Sequence, residues 1–103
     1  MYLTNTTFVV EPSVQTQWLD IIKKHYLPLL EKSGYELASF SRVISAEAVD
    51  HFTYSILVNL PDMASYKALT ENLFPEYLTI ADPLFGSQVL WFTTLMKKID
   101  TAP

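Results

Sequence analysis

The sequence predicts a single α+β domain, residues 1–103, with the element order β-α-β-β-α-β. Three observations predict this fold class. Two segments repeat apolar residues at helical spacing, and four segments are rich in β-branched and aromatic residues. Proline, glycine and aspartate separate these segments. A chain of 103 residues, half of them hydrophobic, has the size of one domain with a thin core.

The first strand and the first helix follow directly from the residue pattern. Tyr2 to Val10 is rich in Thr and Val and predicts a strand that ends at Glu11-Pro12. The helix begins near Pro12-Ser13 and ends at Gly34, a residue that favours the left-handed backbone of a helix stop. One helical face is apolar, and its members are Val14, Trp18, Ile21, Ile22, Tyr26, Leu29 and Leu30.

Two strands then form a predicted hairpin. They run from Glu36 to Ala46 and from His51 to Leu60, with a polar connection around Glu47 and Asp50. Residues of the second strand alternate between two faces. The face predicted to lie against the helices carries Phe52, Tyr54, Ile56, Val58 and Leu60. The opposite face carries Thr53, Ser55, Leu57 and Asn59.

The last two elements are a second helix and a fourth strand. Pro61-Asp62 opens the helix, and Pro75 predicts that it breaks into two pieces, about 62–73 and 75–82, because proline lacks an N–H group and crowds the preceding turn. The strand is predicted from Ser87 to Lys97. The complete order is the split pattern of a ferredoxin-like domain, a four-stranded antiparallel sheet with both helices on one face.

The last strand is apolar on both faces, which predicts a partner chain. Val89, Trp91 and Leu95 point one way, and Leu90, Phe92 and Met96 point the other way. A strand of this kind is normally buried on both sides, yet two helices cover only one side of the sheet. We therefore expect a face-to-face homodimer, a dimeric α+β barrel. The hydroxyl-bearing positions among the apolar ones then line the space between the sheets or between sheet and helices: Thr53, Ser55, and Thr4 with Thr6 or Asn5 with Thr7.

Composition excludes several function classes. The absence of Cys removes disulfides and thiol chemistry, and only two Gly leave no glycine-rich phosphate loop. A net charge of −4 has the wrong sign for a nucleic-acid partner. No apolar stretch is long enough for a membrane span and no signal peptide is visible, so we expect a cytoplasmic protein. We expect no cofactor.

Several short segments, in this order and spacing, resemble a family of short bacterial proteins, domain-of-unknown-function family 4286. They are Trp18, Lys23-Lys24-His25-Tyr26-Leu27-Pro28, Gly34-Tyr35, Arg42-Val43-Ile44, Phe52-Thr53-Tyr54, Phe74-Pro75 and Phe92-Thr93-Thr94-Leu95. The resemblance covers about residues 1–100. It implies a ferredoxin-like fold and kinship with dimeric α+β barrel proteins, some of which are cofactor-free monooxygenases or bind haem. It implies no settled activity.

Two polar residues are candidates for a ligand site. His25 is the only polar member of the apolar helical face, where it is a general base, a proton donor, a metal ligand or a neutral core histidine. Two His residues that are 26 positions apart make a poor metal shell, so we expect no metal site. Arg42, the only Arg, either clamps a carboxylate or phosphate, forms an internal salt bridge, or extends from an edge strand into solvent.

Three aromatic residues, Trp18, Tyr54 and Trp91, either line a pocket or belong to the plain core. Trp18, Tyr54 and the hydroxyls of Thr53 and Ser55 complete the predicted site. Two functions stay open. The first is a protein that binds a small molecule, with chemistry like that of a cofactor-free monooxygenase if it is an enzyme. The second is a structural or protein-interaction module without a site.

Overall fold

The computed structural model describes residues 1–44 and 50–102, and its elements follow the predicted order. The strands are β1 (Tyr2–Val10), β2 (Glu36–Val43), β3 (Phe52–Leu60) and β4 (Val89–Lys97). They form one antiparallel sheet in the order β2-β3-β1-β4, so β2 and β4 are its edges. The predicted α+β class and ferredoxin-like topology are confirmed.

Each helix combines α-helical segments with one wider π-turn. The first helix comprises a 3-10 turn, an α segment, a π-turn and a second α segment: Pro12–Val14, Gln15–Ile21, Ile22–Tyr26 and Leu27–Lys32. The second helix comprises Met63–Ala68, the π-turn Leu69–Leu73, and Phe74–Phe85. No helix in the described ranges is both long enough and apolar enough to cross a membrane.

Local chemistry sets the helix ends. Gly34 follows the first helix with a φ of 83°, a left-handed conformation that glycine adopts without a steric penalty. At the start of the second helix the carboxylate of Asp62 accepts the Ser65 N–H at 2.8 Å. This hydrogen bond lowers the pKa of the Asp62 carboxyl. The turn residues of the sequence therefore perform the roles predicted for them.

The core lies between the helices and one face of the sheet. Every second residue of β1 and β3 is buried, as the alternation predicts. The core side chains come from both helices and from the two central strands. The largest fully buried ones include Trp18, Tyr26, Tyr77, Phe8, Ile22, Leu30, Ile56 and Leu60. The helices thus cover one sheet face only, as the sequence predicts.

Apart from Phe74, the buried residues of both helices are spaced by four rather than by 3.6. The first line is Val14, Trp18, Ile22, Tyr26 and Leu30, and the second is Leu69, Leu73, Tyr77, Ala81 and Phe85. In a uniform α-helix each step of four overshoots one turn by about 40°, so such a line winds away from the sheet. A π-turn holds one extra residue, which turns the line back by about 100°. The N–H of Leu27 bonds to the carbonyl of Ile22, and the N–H of Phe74 bonds to that of Leu69, as this wider turn requires.

The second helix has the two predicted pieces, with shifted ends. The α segment Phe74–Phe85 begins one residue before Pro75, directly after the π-turn Leu69–Leu73, so Pro75 lies in its first turn. This segment continues past Pro83 to Phe85 rather than ending near residue 82. Strand β4 begins at Val89 rather than Ser87, after the 3-10 turn Gly86–Gln88.

The predicted hairpin also changes at its ends. Strand β2 ends at Val43, and Ile44 is not part of a strand. The last two residues of the predicted strand, 45 and 46, and the predicted connection at Glu47 lie outside the described residues. Strand β3 begins at Phe52 rather than His51. These shifts of one or two residues leave the alternation of β3 between its two faces as predicted.

Candidate functional site

The six predicted site residues do not meet in one pocket. Trp18 and Tyr54 are buried between the helices and the sheet, with ring centroids 4.9 Å apart. His25 is exposed on the first helix, and Arg42 is exposed on the edge strand β2. Thr53 and Ser55 are half-buried on the face of the sheet that the helices do not cover. The sequence therefore singled out four separate places.

The expectation that His25 belongs to the buried helical face is wrong. It lies eleven residues after Val14, which in a uniform α-helix would return it to the same face. The π-turn Ile22–Tyr26 contains His25 and rotates it away from the sheet. It lines a shallow groove between the helices, together with Leu29, Glu76 and Ile80. No three His, Cys, Asp or Glu side chains in the described residues cluster as metal ligands.

Arg42 contacts an aromatic ring. Its guanidinium carbon lies 5.3 Å from the ring centroid of Phe52, within the range of a cation–π interaction. Arg42 pairs with Tyr54 across β2 and β3, so its side chain leaves the sheet on the helix-covered side at the open edge. Of the three alternatives for Arg42, its contacts among the described residues therefore match a long side chain that extends from the edge strand.

Trp18 and Tyr54 have their polar atoms satisfied within the chain. The Trp18 indole N–H donates to the Tyr77 hydroxyl at 2.9 Å, and the Gln15 side-chain amide donates to the Tyr54 hydroxyl. Burial raises the pKa of Tyr77 to about 12, although the hydrogen bond from Trp18 acts in the opposite direction. Both residues are therefore integrated into the core packing.

The uncovered side of the sheet, here called the helix-free face, is almost without charge. It consists of Leu3, Asn5, Thr7 and Val9 of β1, Ser39, Ser41 and Val43 of β2, Thr53, Ser55, Leu57 and Asn59 of β3, and Leu90, Phe92, Thr94 and Met96 of β4, with Glu36 at one corner. The Ser55 hydroxyl donates to the Asn5 side-chain oxygen, and the Asn5 amide donates to the Thr7 hydroxyl at 3.4 Å. Apolar side chains surround this small polar cluster, and Leu90 and Phe92 are 59% and 56% exposed.

A separate cavity lies on the covered side, beside β4. This helix–sheet cavity has a volume of about 130 Å³. Its floor is the sheet, and its other walls come from the residues at or beside the two π-turns. The seven lining residues are Thr6, Tyr26, Leu69, Thr70, Phe74, Trp91 and Thr93.

Two threonines that face each other across the cavity floor take part in no side-chain hydrogen bond among the described residues. Thr6 and Thr93 are directly opposite each other on β1 and β4, and Thr6 is only 4% exposed. Side-chain hydrogen bonds in the described residues involve Thr4, Thr7 and Thr70, but not Thr6 or Thr93. No fully enclosed polar side-chain atom in those residues lacks a partner, so the Thr6 hydroxyl is not fully enclosed, and Thr6 is one of the residues that line the cavity. A buried hydroxyl usually bonds to protein or water, which makes this one available to a ligand.

The other walls of the cavity are aromatic and uncharged. The rings of Phe74 and Trp91 meet edge to face, with centroids 4.5 Å apart, and Trp91 is 43% exposed at the open side. The ring of Tyr26 packs against Phe74 with a centroid distance of 5.8 Å. Burial raises the pKa of Tyr26, with smaller contributions from Tyr77 and Tyr35, so Tyr26 stays neutral at physiological pH. The cavity thus combines apolar side chains with hydroxyl-bearing ones and no charge.

The sequence held a signal for this cavity that a uniform helical period hides. In both helices a buried pair spaced by four is followed by a proline two residues later: Ile22, Tyr26 and Pro28, then Leu69, Leu73 and Pro75. This shared arrangement marks the two π-turns, and π-turns often lie at functional sites. Thr6 was among the hydroxyls expected to line a space, while Phe74 and Thr70 were not recognised.

Comparison with known proteins identifies a family and a fold. A family model described as "Domain of unknown function (DUF4286)" matches residues 1–99. No curated protein matches the chain. A solved structure of an uncharacterised NIPSNAP domain protein from Burkholderia xenovorans is similar, with a TM-score of 0.71 and 13% identity over 100% of this chain and 99% of that one.

Two further solved structures have the same fold. An antibiotic biosynthesis monooxygenase has a TM-score of 0.57 and 17% identity, covering 97% of this chain and 100% of its own. A dimeric ferredoxin-like protein from an uncultured marine organism has a TM-score of 0.60 and 14% identity, covering 97% of each chain. At these identities the similarity establishes the fold and no activity.

Proposed function

We propose that this chain, which belongs to the domain-of-unknown-function family DUF4286, binds a small molecule in its helix–sheet cavity and acts as a homodimer joined through its helix-free faces. The first part concerns a site within one chain. The second part concerns the surface that the helices leave open. Each part rests on a different observation and has its own test.

The Thr6 hydroxyl is the observation that carries the binding proposal. Thr6 is 4% exposed and lines the cavity, and its hydroxyl takes part in no side-chain hydrogen bond among the described residues. Because no fully enclosed side-chain polar atom of those residues lacks a partner, this hydroxyl is not sealed off, and it can bond to water or to a ligand. A ligand that bonds to the hydroxyl replaces that water, which supports binding over a filled core.

The helix-free face supports the dimer. Leu90, Phe92 and Val43 are each more than half exposed there, and apart from Glu36 the strands place no charge on this face. Covering a large apolar side chain contributes about 1.5–3 kcal/mol. A second copy supplies an equally uncharged face, and two sheets pack well in this way. A structural neighbour described as a dimeric ferredoxin-like protein is in keeping with this arrangement.

Binding is tested by two-dimensional amide NMR with a library of neutral and charged single-ring fragments. We expect at least one fragment to shift the resonances of Thr6, Thr70 and the Trp91 indole. Thr93→Leu fills the cavity and abolishes those shifts. Thr79→Leu makes the same change on the exposed surface of the second helix, away from the cavity, and retains them.

The alternative, an interaction module without a site, predicts another result. No fragment would then shift the resonances of the cavity, and Thr93→Leu would raise the melting temperature by filling a void. That pair of results would reject the binding proposal.

A further inference from the structure

We infer that the helix–sheet cavity takes an uncharged single-ring compound that carries one hydrogen-bonding oxygen. The inference rests on the proposed function, since it names the ligand class of the same cavity. Three properties of the cavity carry it: its volume, the absence of charge from its walls, and the placement of the Thr6 and Thr93 hydroxyls opposite each other in its floor.

Volume limits the ligand to one ring. The cavity measures about 130 Å³. An engineered apolar cavity of about 150 Å³ in another protein binds benzene. A single six-membered ring with a small substituent therefore fills the space, with its substituent directed to a wall or to the open side at Trp91.

The walls select against charge. None of the seven lining residues carries a formal charge, and Tyr26 stays protonated because burial raises its pKa. An ion that enters loses its hydration and gains no counter-ion. Aromatic walls attract cations when their faces surround the ion, but here Phe74 meets both Trp91 and Tyr26 edge to face. These edge-to-face contacts occupy ring surface that a cation cage needs open.

The hydroxyls place the polar atom of the ligand. Thr6 and Thr93 are opposite each other in the sheet floor, and each hydroxyl both donates and accepts. The aromatic side chains and Leu69 form the remaining walls. A ring therefore packs against Phe74 and Trp91, which contact each other, with its oxygen directed to the two threonines. An alcohol, a phenol or a carbonyl satisfies this geometry, and a hydrocarbon leaves both hydroxyls unpaired.

Four probes of nearly the same size test the inference: benzyl alcohol, toluene, benzylammonium and benzoate. Calorimetric titration at neutral pH gives their affinities, and amide NMR places each at the cavity. We expect benzyl alcohol to bind about three- to tenfold more tightly than toluene, the gain from one net hydrogen bond. We expect both ions to bind at least about tenfold more weakly than the alcohol.

Matched variants assign the hydrogen bond. Thr6→Val with Thr93→Val removes both hydroxyls and is expected to abolish the difference in affinity between benzyl alcohol and toluene. Thr4→Val makes the same change on the same strand and face, at a buried hydroxyl that lies 3.4 Å from the Thr94 carbonyl and outside the cavity. This control is expected to leave the alcohol's advantage intact.

The outcomes separate the inference from the proposed function. If either ion binds the cavity as tightly as benzyl alcohol, or toluene does, the inference is wrong while the cavity remains a binding site. If no probe binds and the fragment library also gives no shifts, both the inference and the proposed function fail. The comparison of probes uses the unaltered protein, so it does not depend on the folding of the variants.

Discussion

Trp18 and Tyr77 form a hydrogen bond at the centre of the aromatic core. The Trp18 ring lies 5.1 Å from the Phe8 ring, and the Tyr77 ring lies 5.2 Å from the Tyr26 ring, measured between centroids. The indole N–H and the phenol oxygen each need a partner away from water, and each provides one to the other. This pair joins the first helix to the second through side chains rather than through a loop.

The Tyr77 hydroxyl lowers the free energy of unfolding when the pH becomes alkaline. The folded protein raises the pKa of this group from 10.0 to about 12, chiefly because the group is buried. Its contribution is complete below the unfolded pKa and is lost as pH rises from about 10 to 12, a loss of about 2–3 kcal/mol. At neutral pH, Tyr77→Phe leaves the Trp18 N–H unpaired and costs about 1–3 kcal/mol.

Urea unfolding of the wild type and Tyr77→Phe between pH 7 and 11 checks this prediction. We expect the difference in free energy of unfolding between the wild type and Tyr77→Phe to become smaller above pH 10, because only the wild type has a titrating group at this position. Tyr66→Phe is the control, since the Tyr66 hydroxyl forms no hydrogen bond with the described residues. A difference that stays constant with pH would contradict the proposed role of Tyr77.

At the scale of the element, the π-turns reconcile a spacing of four with a straight buried line. They also explain where sequence reasoning succeeded and failed. The faces of the strands were predicted correctly because successive side chains of a strand alternate strictly between two opposite faces. His25 was placed on the wrong face because one extra residue in a turn changes the direction of the following side chains by about 100° relative to a uniform helix. Local pattern analysis assumes one period for each helix, and these helices have two.

Two single-residue deletions in the second helix test this account. Glu71 is exposed within the π-turn, and Thr79 is exposed within the α-helical part. Deleting Glu71 converts the π-turn into an ordinary turn and keeps Tyr77 and Phe85 facing the sheet. Deleting Thr79 rotates Ala81 and Phe85 away by about 100°.

We expect the Glu71 deletion to cost about 1–2 kcal/mol and the Thr79 deletion about 3 kcal/mol or more, since Phe85 loses its burial. Circular dichroism and urea unfolding give both values. Equal losses would show that the π-turn does not set the direction of the buried line.

At the scale of the whole molecule, the sheet has two different sides that the sequence reveals unequally. The apolar character of both sides was visible in β4, and it led to the expected partner. The cavity was not predictable in the same way, because it depends on how far the helices stand from small side chains such as Thr6 and Thr93. That distance is set by bulky neighbours such as Phe74 and Trp91, which are remote in sequence.

The dimer is tested by placing a charge on the helix-free face. We expect the wild type to have twice the chain mass in light scattering and Phe92→Lys to have the mass of one chain. A lysine there buries an unpaired charge, which weakens the dimer by about 3 kcal/mol or more, a factor above about one hundred. Leu84→Lys changes a similarly exposed apolar residue on the second helix and is expected to leave the dimer intact. A wild type that stays monomeric at micromolar concentration would reject the proposed dimer.

Strand β4 contributes alternate side chains to two surfaces. Trp91 and Thr93 line the cavity, whereas Phe92 and Thr94 belong to the helix-free face. Inserting or removing one residue here would swap these assignments along the rest of the strand. Evolution can therefore vary the chemistry of either surface by substitution, but the number of residues in this strand is constrained by both at once.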